Sequence, residues 1–268
     1  MPTEIGITVA IVLPISLALW REPVGWRLSP RRWAWLAAMA VVLIWAQSRS
    51  SWIAAVIGIL IVWCSTGSWA RRAAMVWLLG ALAVAAAGAL FLVSETARQQ
   101  AIYCLSGRPL LWEAALNAVR QHPWVGIGPG AWSTWLSSQY ASADFMLFDR
   151  AGNTFFLDPL LTGGEAHNLF LTKAAEMGLP SLLVLMLWIM CWFHAAGTIM
   201  KRLAPGWLHA LTLGSIASMA GMVCLGLLEH GPLIGKARGL EVLTVWFVAS
   251  IPFVASHLTG MRRQPTHG

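Results

Sequence analysis

Seven apolar runs in this sequence are close to the length that a helix needs to cross a lipid bilayer. The hydrocarbon core is about 30 Å thick and takes about 20 residues of helix. Hydrophobic residues make up 58% of the chain and charged residues only 11%, whereas a soluble domain has about 25% charged residues. The sequence therefore predicts an all-α polytopic membrane protein with about seven transmembrane helices. The predicted spans are residues 5–20, 33–47, 52–69, 73–93, 179–200, 207–228 and 240–257.

Basic residues are concentrated in alternate turns between these runs, and this distribution predicts the orientation. Ten of the eighteen Lys and Arg residues follow the first, third, fifth and seventh runs. Short cytoplasmic turns carry an excess of positive charge, so these turns and the C-terminus are predicted to be cytoplasmic. The ten residues are Arg21, Arg27, Arg31, Arg32, Arg71, Arg72, Lys201, Arg202, Arg262 and Arg263. The net charge of +7 is thus a topology signal, and it predicts no nucleic-acid partner.

Residues 94–180 form a polar segment between the fourth and fifth runs. The segment holds seven of the eleven carboxylates and is rich in Trp, Leu and Phe, which argues against disorder. Loops longer than about 12–15 residues are uncommon unless they are functional or disordered. We therefore expect three parts: residues 1–93 with four transmembrane helices, a large folded outer loop at 94–180, and residues 181–268 with three helices and a cytoplasmic tail.

Two helices and a turn are predicted inside the polar segment. Pro suits the first helical turn, so Gly107-Arg108-Pro109 is expected to open a helix that ends near His122-Pro123 and lies along the membrane surface. Its apolar stripe is Leu111, Ala115, Leu116 and Val119. The glycines and Pro129 within residues 126–130 predict a sharp turn. The second helix is expected to begin near residues 166–168 and to run into the fifth span.

Two arginines are candidates for binding an anion. Arg49 lies between the second and third runs, and charges near the membrane core tend to be functional. The alternative is an anchor that reaches phospholipid headgroups. Arg108 stands at a helix start, where a cation opposes the helix dipole unless an anion is bound. The alternative for Arg108 is a salt bridge to Glu113, and Arg120 on the same helix is a further candidate for substrate binding.

His167 is the candidate general base, because imidazole accepts a proton near neutral pH. Glu165 could orient its ring and Asn168 could bind substrate, whereas the alternative for His167 is a helix cap or a polar filler. Glu229-His230 is a second acid–base pair on the predicted outer side, held in reserve. The sequence has no HExxH motif and no Cys/His cluster, so we expect no metal site and no cofactor.

Three segments together resemble one known family. They are Gln47-Ser-Arg-Ser-Ser-Trp52, then Gly107-Arg-Pro-Leu-Leu-Trp112 with residues 122–130, then Glu165-Ala-His-Asn-Leu-Phe170 with Glu176-Met-Gly178. In order and spacing this set is similar to the O-antigen ligase and O-antigen polymerase superfamily of bacterial envelope glycosyltransferases. The resemblance covers about residues 49–180.

The resemblance implies a function on the periplasmic side of the bacterial inner membrane. Such enzymes transfer a glycan from a polyprenyl-diphosphate carrier to a hydroxyl of another glycan, of lipid A core or of a protein. By that resemblance, Arg49 and Arg108 would hold the diphosphate without metal, and His167 would activate the acceptor. Ligase, polymerase and protein glycosyltransferase are not separated by these residues.

The predicted number of spans differs from that of the family. Family members usually have more spans than the seven predicted here, which implies that an N-terminal half is missing from this sequence or supplied by a partner chain.

The alternative function is a non-catalytic membrane module or transporter that binds an anionic lipid-linked substrate. His167 with Glu165 favours the enzyme, because transport alone needs no general base.

Overall fold

The computed structural model describes residues 2–21, 30–65, 108–140, 146–148, 154–156, 166–229 and 239–261. The helices in these residues are α1 (Pro2–Arg21), α2 (Pro30–Trp45), α3 (Arg49–Cys64), α4 (Arg108–Gln121), α5 (Trp132–Tyr140), α6 (Leu169–Arg202), α7 (Trp207–Gly226) and α8 (Gly239–Met261). Two three-residue strands, β1 (Met146–Phe148) and β2 (Thr154–Phe156), pair antiparallel. The helical fold is therefore confirmed, and the small sheet is a feature that the all-α prediction missed.

Three of the described helices are long and apolar enough to cross a membrane. They contain Leu169–Arg202, Trp207–Gly226 and Leu243–Gly260. The apolar helices Ile5–Trp20, Trp33–Trp45 and Ser50–Cys64 are shorter. The predicted fourth span at 73–93, with Arg71 and Arg72 before it, lies outside the described residues. The helices indicate an integral membrane protein, while the count of seven spans and its orientation stay predictions.

The chain divides into two compact units, residues 1–70 with 187–268, and residues 71–186. In the first unit, α1, α3 and α7 pack against one another. A Cβ added at Gly221 of α7 would lie 2.5 Å from the carbonyl oxygen of Ala54 in α3. Small residues allow such close approach of helices in a membrane. The expected division at residues 94 and 180 stays a prediction.

Hydrogen bonds from neighbouring helices compensate for Pro252 inside α8. Proline has no N–H, so the carbonyl of Val248, four residues earlier, has no helical donor. Ser215 Oγ of α7 donates to Val248 O at 2.6 Å, and Trp192 Nε1 of α6 donates to Ala249 O at 3.0 Å. A lipid-embedded carbonyl without a donor is costly, so these bonds make the proline tolerable and link α8 to its neighbours within the first unit.

The core of the second unit lies between α4, α5 and the start of α6. Its buried residues are Leu111, Ala114, Ala115, Ala118, Trp132, Leu136, Ala166 and Ala175. The predicted helix after residue 107 is confirmed, but the assignment of Leu116 to its apolar stripe is wrong, because this side chain is 43% exposed. At about 100° per residue, Leu116 lies roughly 140° around the axis from Leu111. Ala114 and Ala118 fill the buried face instead.

Candidate functional site

The turn at residues 123–130 pairs with a break in the first third of α6. Gly178 has non-helical angles, φ 79° and ψ 172°, and Pro180 follows. The break deprives the carbonyls of Ala175 and Glu176 of their helical donors, because residue 179 is displaced and residue 180 has no N–H. Ile127 N donates to Ala175 O at 2.9 Å and Gly128 N to Glu176 O at 3.0 Å.

A reciprocal hydrogen bond closes this arrangement. Leu179 N, which the break releases from the helix, donates to Pro123 O at 2.8 Å. The predicted sharp turn is confirmed, with positive φ at Gly126, Gly128 and Gly130. The turn therefore supplies the donors and the acceptor that the broken helix lacks.

Gly126 and Gly178 are required by both conformation and space. Their φ values are +70° and +79°, a region that side chains with a Cβ rarely adopt. A Cβ on Gly126 would lie 2.5 Å from Met177 N, and one on Gly178 would lie 2.9 Å from Val125 N. The two backbones consequently touch at the point where the turn meets the helix.

Glu176 adds a side-chain tie to the same junction. Its side chain is buried, and Oε1 accepts a hydrogen bond from Gly130 N at 3.1 Å. Oε2 lies 3.8 Å from Lys173 Nζ. The sequence indicated Glu176 only as part of the Glu176-Met-Gly178 segment. Its role in holding the turn against α6 was not predicted. The signal was a carboxylate four residues before Pro180, at a place where the helix must break.

His167 lies immediately before α6 in a left-handed backbone conformation, with φ 48°. Both its neighbours are anchored: Ala166 is fully buried and its N–H donates to Thr172 Oγ1 at 3.3 Å. Asn168 Oδ1 accepts from Leu171 N at 3.0 Å, which makes Asn168 the N-cap of α6. Few non-glycine residues have positive φ, and such conformations cluster at functional sites.

Arg49 is the first residue of α3, and the chain before it has the same form as the chain around His167. Gln47 has φ 47°, and Ser48 is the N-cap, accepting from Ser51 N at 3.4 Å. Ser51 Oγ also donates to Ser48 Oγ at 2.8 Å. In both places a residue in the left-handed region is followed by a polar N-cap that begins a helix.

The other predicted residues are distributed over both units. Arg108 is the first residue of α4, and Arg120 is exposed at the end of that helix, with Nη1 donating to Asn117 Oδ1 at 3.2 Å. Glu229 follows α7, with its N–H donating to Leu225 O at 2.8 Å. Glu165 and His230 lie outside the described residues.

The convergence of the candidate residues stays a prediction. Arg108 and His167 belong to the second unit, whereas Arg49 and Glu229 belong to the first. Among the described residues, no group of three His, Cys, Asp or Glu side chains could hold a metal ion. The predicted absence of a metal site in the whole chain likewise stays a prediction.

In the described part of the second unit, two buried donors have no hydrogen-bond partner among the described residues. They are the indole N–H groups of Trp112 and Trp132. Trp132 is fully buried in the core of the unit. Trp112 lies on α4 one turn after Arg108, so the two side chains are neighbours on one face of that helix. Buried polar groups are nearly always paired, so a bound acceptor would be favourable here.

Comparison with known proteins supports the resemblance. The family model described as O-antigen ligase matches residues 34–186, more than half of the chain. The match includes the turn before α3, all of α4, the glycine turn, His167 and the break in α6. A comparison with curated proteins finds no match. On the strength of the family match, this chain belongs to the O-antigen ligase family.

Proposed function

We propose that this protein is a glycosyltransferase that moves a glycan from a polyprenyl-diphosphate carrier to an acceptor hydroxyl, at the periplasmic face of the bacterial inner membrane. Family membership supports an O-antigen ligase-like glycosyltransferase activity. The observation that carries the proposal is that its three principal residues all lie at or just before the N-terminus of a helix. Arg49 and Arg108 begin α3 and α4, and His167 directly precedes the N-cap of α6. The acceptor would be another glycan, lipid A core or a protein.

Arginine at a helix N-terminus suits a diphosphate ligand. The first N–H groups of a helix have no helical acceptor, and the helix dipole favours negative charge there. A bound anion would offset the unfavourable interaction between an arginine charge and the helix dipole at this place. The guanidinium fork can hold phosphate oxygens in a bidentate manner. It would also stabilise the charge that grows on the leaving diphosphate.

Trp112 would add a neutral donor beside Arg108. Its indole N–H is buried and has no hydrogen-bond partner among the residues that the structure describes. An oxygen of the donor substrate, on the diphosphate or the first sugar, would satisfy it. This hydrogen bond would offset part of the unfavourable free energy of burying a donor without an acceptor.

His167 would act on the acceptor. Its imidazole would take the proton of the acceptor hydroxyl as that oxygen bonds to the anomeric carbon. The bond between that carbon and the diphosphate oxygen would break, and the polyprenyl diphosphate would leave with the bonding electron pair. The anchored left-handed backbone supports a fixed position for the ring. Glu165 would orient the ring and Asn168 and Arg120 would contact substrate, with Glu229-His230 as the reserve acid–base pair.

The experiment that tests this proposal is transfer in vitro. The protein, together with any chain that supplies further spans, is placed in proteoliposomes with a synthetic polyprenyl-diphosphate glycan. A glycan, a lipid A core and a peptide are compared as acceptors by mass spectrometry. We expect a glycosylated product with at least one acceptor, in excess EDTA as well as without it. Binding of the carrier lipid without transfer to any acceptor would instead support the non-catalytic module.

A further inference from the structure

The tip of the glycine turn presents two large apolar side chains to the outside. Trp124 is 76% exposed and Val125 is 80% exposed, more than any other large apolar residue in the described part of the chain. Exposed apolar area is unfavourable in water by about 25 cal/mol per Å². Adjacent residues of this kind mark contact with a membrane or a partner. No step of the proposed reaction uses them.

The turn lies directly against the start of the apolar part of α6. Leu179 N donates to Pro123 O at 2.8 Å, and a Cβ on Gly178 would collide with the carbonyl of Trp124. Met177 and Leu179, on either side of Gly178, are themselves exposed. Trp124 and Val125 therefore extend an apolar surface that begins on the helix.

That surface continues along the membrane-spanning part of α6. Leu183 lies four residues after Leu179 and is therefore its neighbour on the helix face. Leu183 and Val184 are both exposed, as side chains that face lipid must be in a helix of this length and hydropathy. The exposed tip of the turn thus adjoins a face whose contact is bilayer lipid.

The positions of the charged residues on α6 indicate that the edge of the membrane lies at the level of the exposed turn. Lys173 and Glu176 are the last charged residues before an uncharged stretch that continues to Met200. The water–lipid boundary at this end of α6 therefore falls near Gly178, where the carbonyl of Trp124 approaches the helix. Tryptophan is enriched at this boundary.

We propose that Trp124 and Val125 form a membrane wedge, in which both side chains insert into the lipid acyl chains at the end of α6. The wedge is tied to the helix by backbone hydrogen bonds from residues 127 and 128. Insertion would therefore hold the glycine turn and the break in α6 at a set depth in the bilayer. This contact is independent of the proposed function, because a transporter or binding module would make it equally.

The test measures the environment of residue 125 in a bilayer. Val125→Cys is made in a chain whose four native cysteines are replaced, labelled with a nitroxide and placed in phosphatidylethanolamine–phosphatidylglycerol liposomes. Collision rates with oxygen, which concentrates in acyl chains, and with a water-soluble nickel chelate are compared. Leu183→Cys is the lipid control, and Gln121→Cys, at an exposed polar position ending α4, is the aqueous control. Trp124→Cys repeats the measurement in case one labelled variant fails to fold.

We expect oxygen to relax the label at residue 125 several times more effectively than nickel, as at residue 183. An aqueous pattern like that of residue 121 overturns the wedge. Low accessibility to both reagents overturns it in favour of a protein partner. If the preference for oxygen disappears when undecaprenyl diphosphate is added, the surface binds the carrier's prenyl chain, and the assignment to bilayer lipid is wrong.

Discussion

Glu176 Oε1 accepts a hydrogen bond from the backbone N–H of Gly130 at 3.1 Å, which joins the end of the glycine turn to the first third of α6. The two residues are 46 positions apart in the sequence. The bond makes Glu176 a positioning residue, because it holds together the segments that precede α5 and follow His167. Lys173, 3.8 Å from Oε2, partly balances its charge.

Glu176→Ala should lower the free energy of unfolding by about 1–3 kcal/mol, because it removes the acceptor of a partly buried N–H. Glu176→Gln keeps an acceptor oxygen and should cost less. The measurement is thermal unfolding in detergent. Gln121→Ala, at the exposed end of α4, is the control and should change stability by no more than about 0.5 kcal/mol. Equal melting of Glu176→Ala and the parent would show that the bond contributes nothing to the fold.

Alanine substitutions at three glycines of the second unit distinguish two free-energy costs, that of the left-handed backbone conformation and that of a steric collision. Gly126, Gly178 and Gly130 have similar positive φ values, but a Cβ on Gly130 would meet nothing within 4 Å. Gly130→Ala should therefore cost only about 1–2 kcal/mol, the penalty of the left-handed conformation. Gly126→Ala and Gly178→Ala should cost clearly more, since backbone must also move apart. The check is the melting temperature and folded yield of each variant, and three equal losses would contradict the predicted collision.

Local signals in the sequence were sufficient to predict where α4 and α6 begin, whereas α5 was not predicted. Pro109 after Arg108 and the Asn168 cap are both signals that act within one helical turn. The helix beginning near residues 166–168 was correctly predicted to run into the fifth span, but no break was predicted beside Pro180. In the structure it follows a break inside one 34-residue helix. The helix resumes because the carbonyls of Ala175 and Glu176 find donors in the turn.

Relations between distant segments could not be predicted from local pattern. The backbone hydrogen bonds of residues 127 and 128 to α6 are not reflected in a periodic pattern of residue types in either segment. The left-handed backbone of His167 is equally invisible, because only a few per cent of non-glycine residues adopt it, even though histidine is enriched among them. The strands of β1 and β2 have three residues each, too few for an alternating pattern to be recognised.

Arg108→Lys should retain part of the transfer activity and Arg108→Ala should retain very little. Lysine keeps the charge but loses the planar fork that binds two phosphate oxygens. A charge-assisted hydrogen bond contributes roughly 1.5–3 kcal/mol, so the alanine variant should be on the order of 10- to 100-fold slower. The measurement is the transfer rate from a polyprenyl-diphosphate glycan. An alanine variant as fast as the lysine variant would remove Arg108 from the diphosphate site.

Trp112→Phe removes the unpaired indole N–H and keeps an aromatic ring. If the N–H donates to the bound donor substrate, affinity for the carrier-linked glycan should fall about fivefold, equivalent to about 1 kcal/mol. Trp132→Phe is the matched control, because its N–H is also buried and unpaired. That variant should leave the affinity unchanged. Equal donor affinity of Trp112→Phe and the parent, measured by equilibrium binding, would contradict the substrate contact.

His167→Asn is the sharpest test of the general base. Asparagine, like histidine, tolerates the left-handed conformation, so this variant removes the imidazole without straining the φ of 48°. His167→Ala removes the ring as well but disfavours that backbone. Loss of a general base typically costs about 10²- to 10⁴-fold in rate, while affinity for the carrier lipid should stay nearly unchanged in the asparagine variant. The two quantities are measured separately, by single-turnover transfer and by equilibrium binding. If His167→Asn transfers the glycan at the parental rate, His167 is not the base, and Glu229-His230 is the next pair to replace.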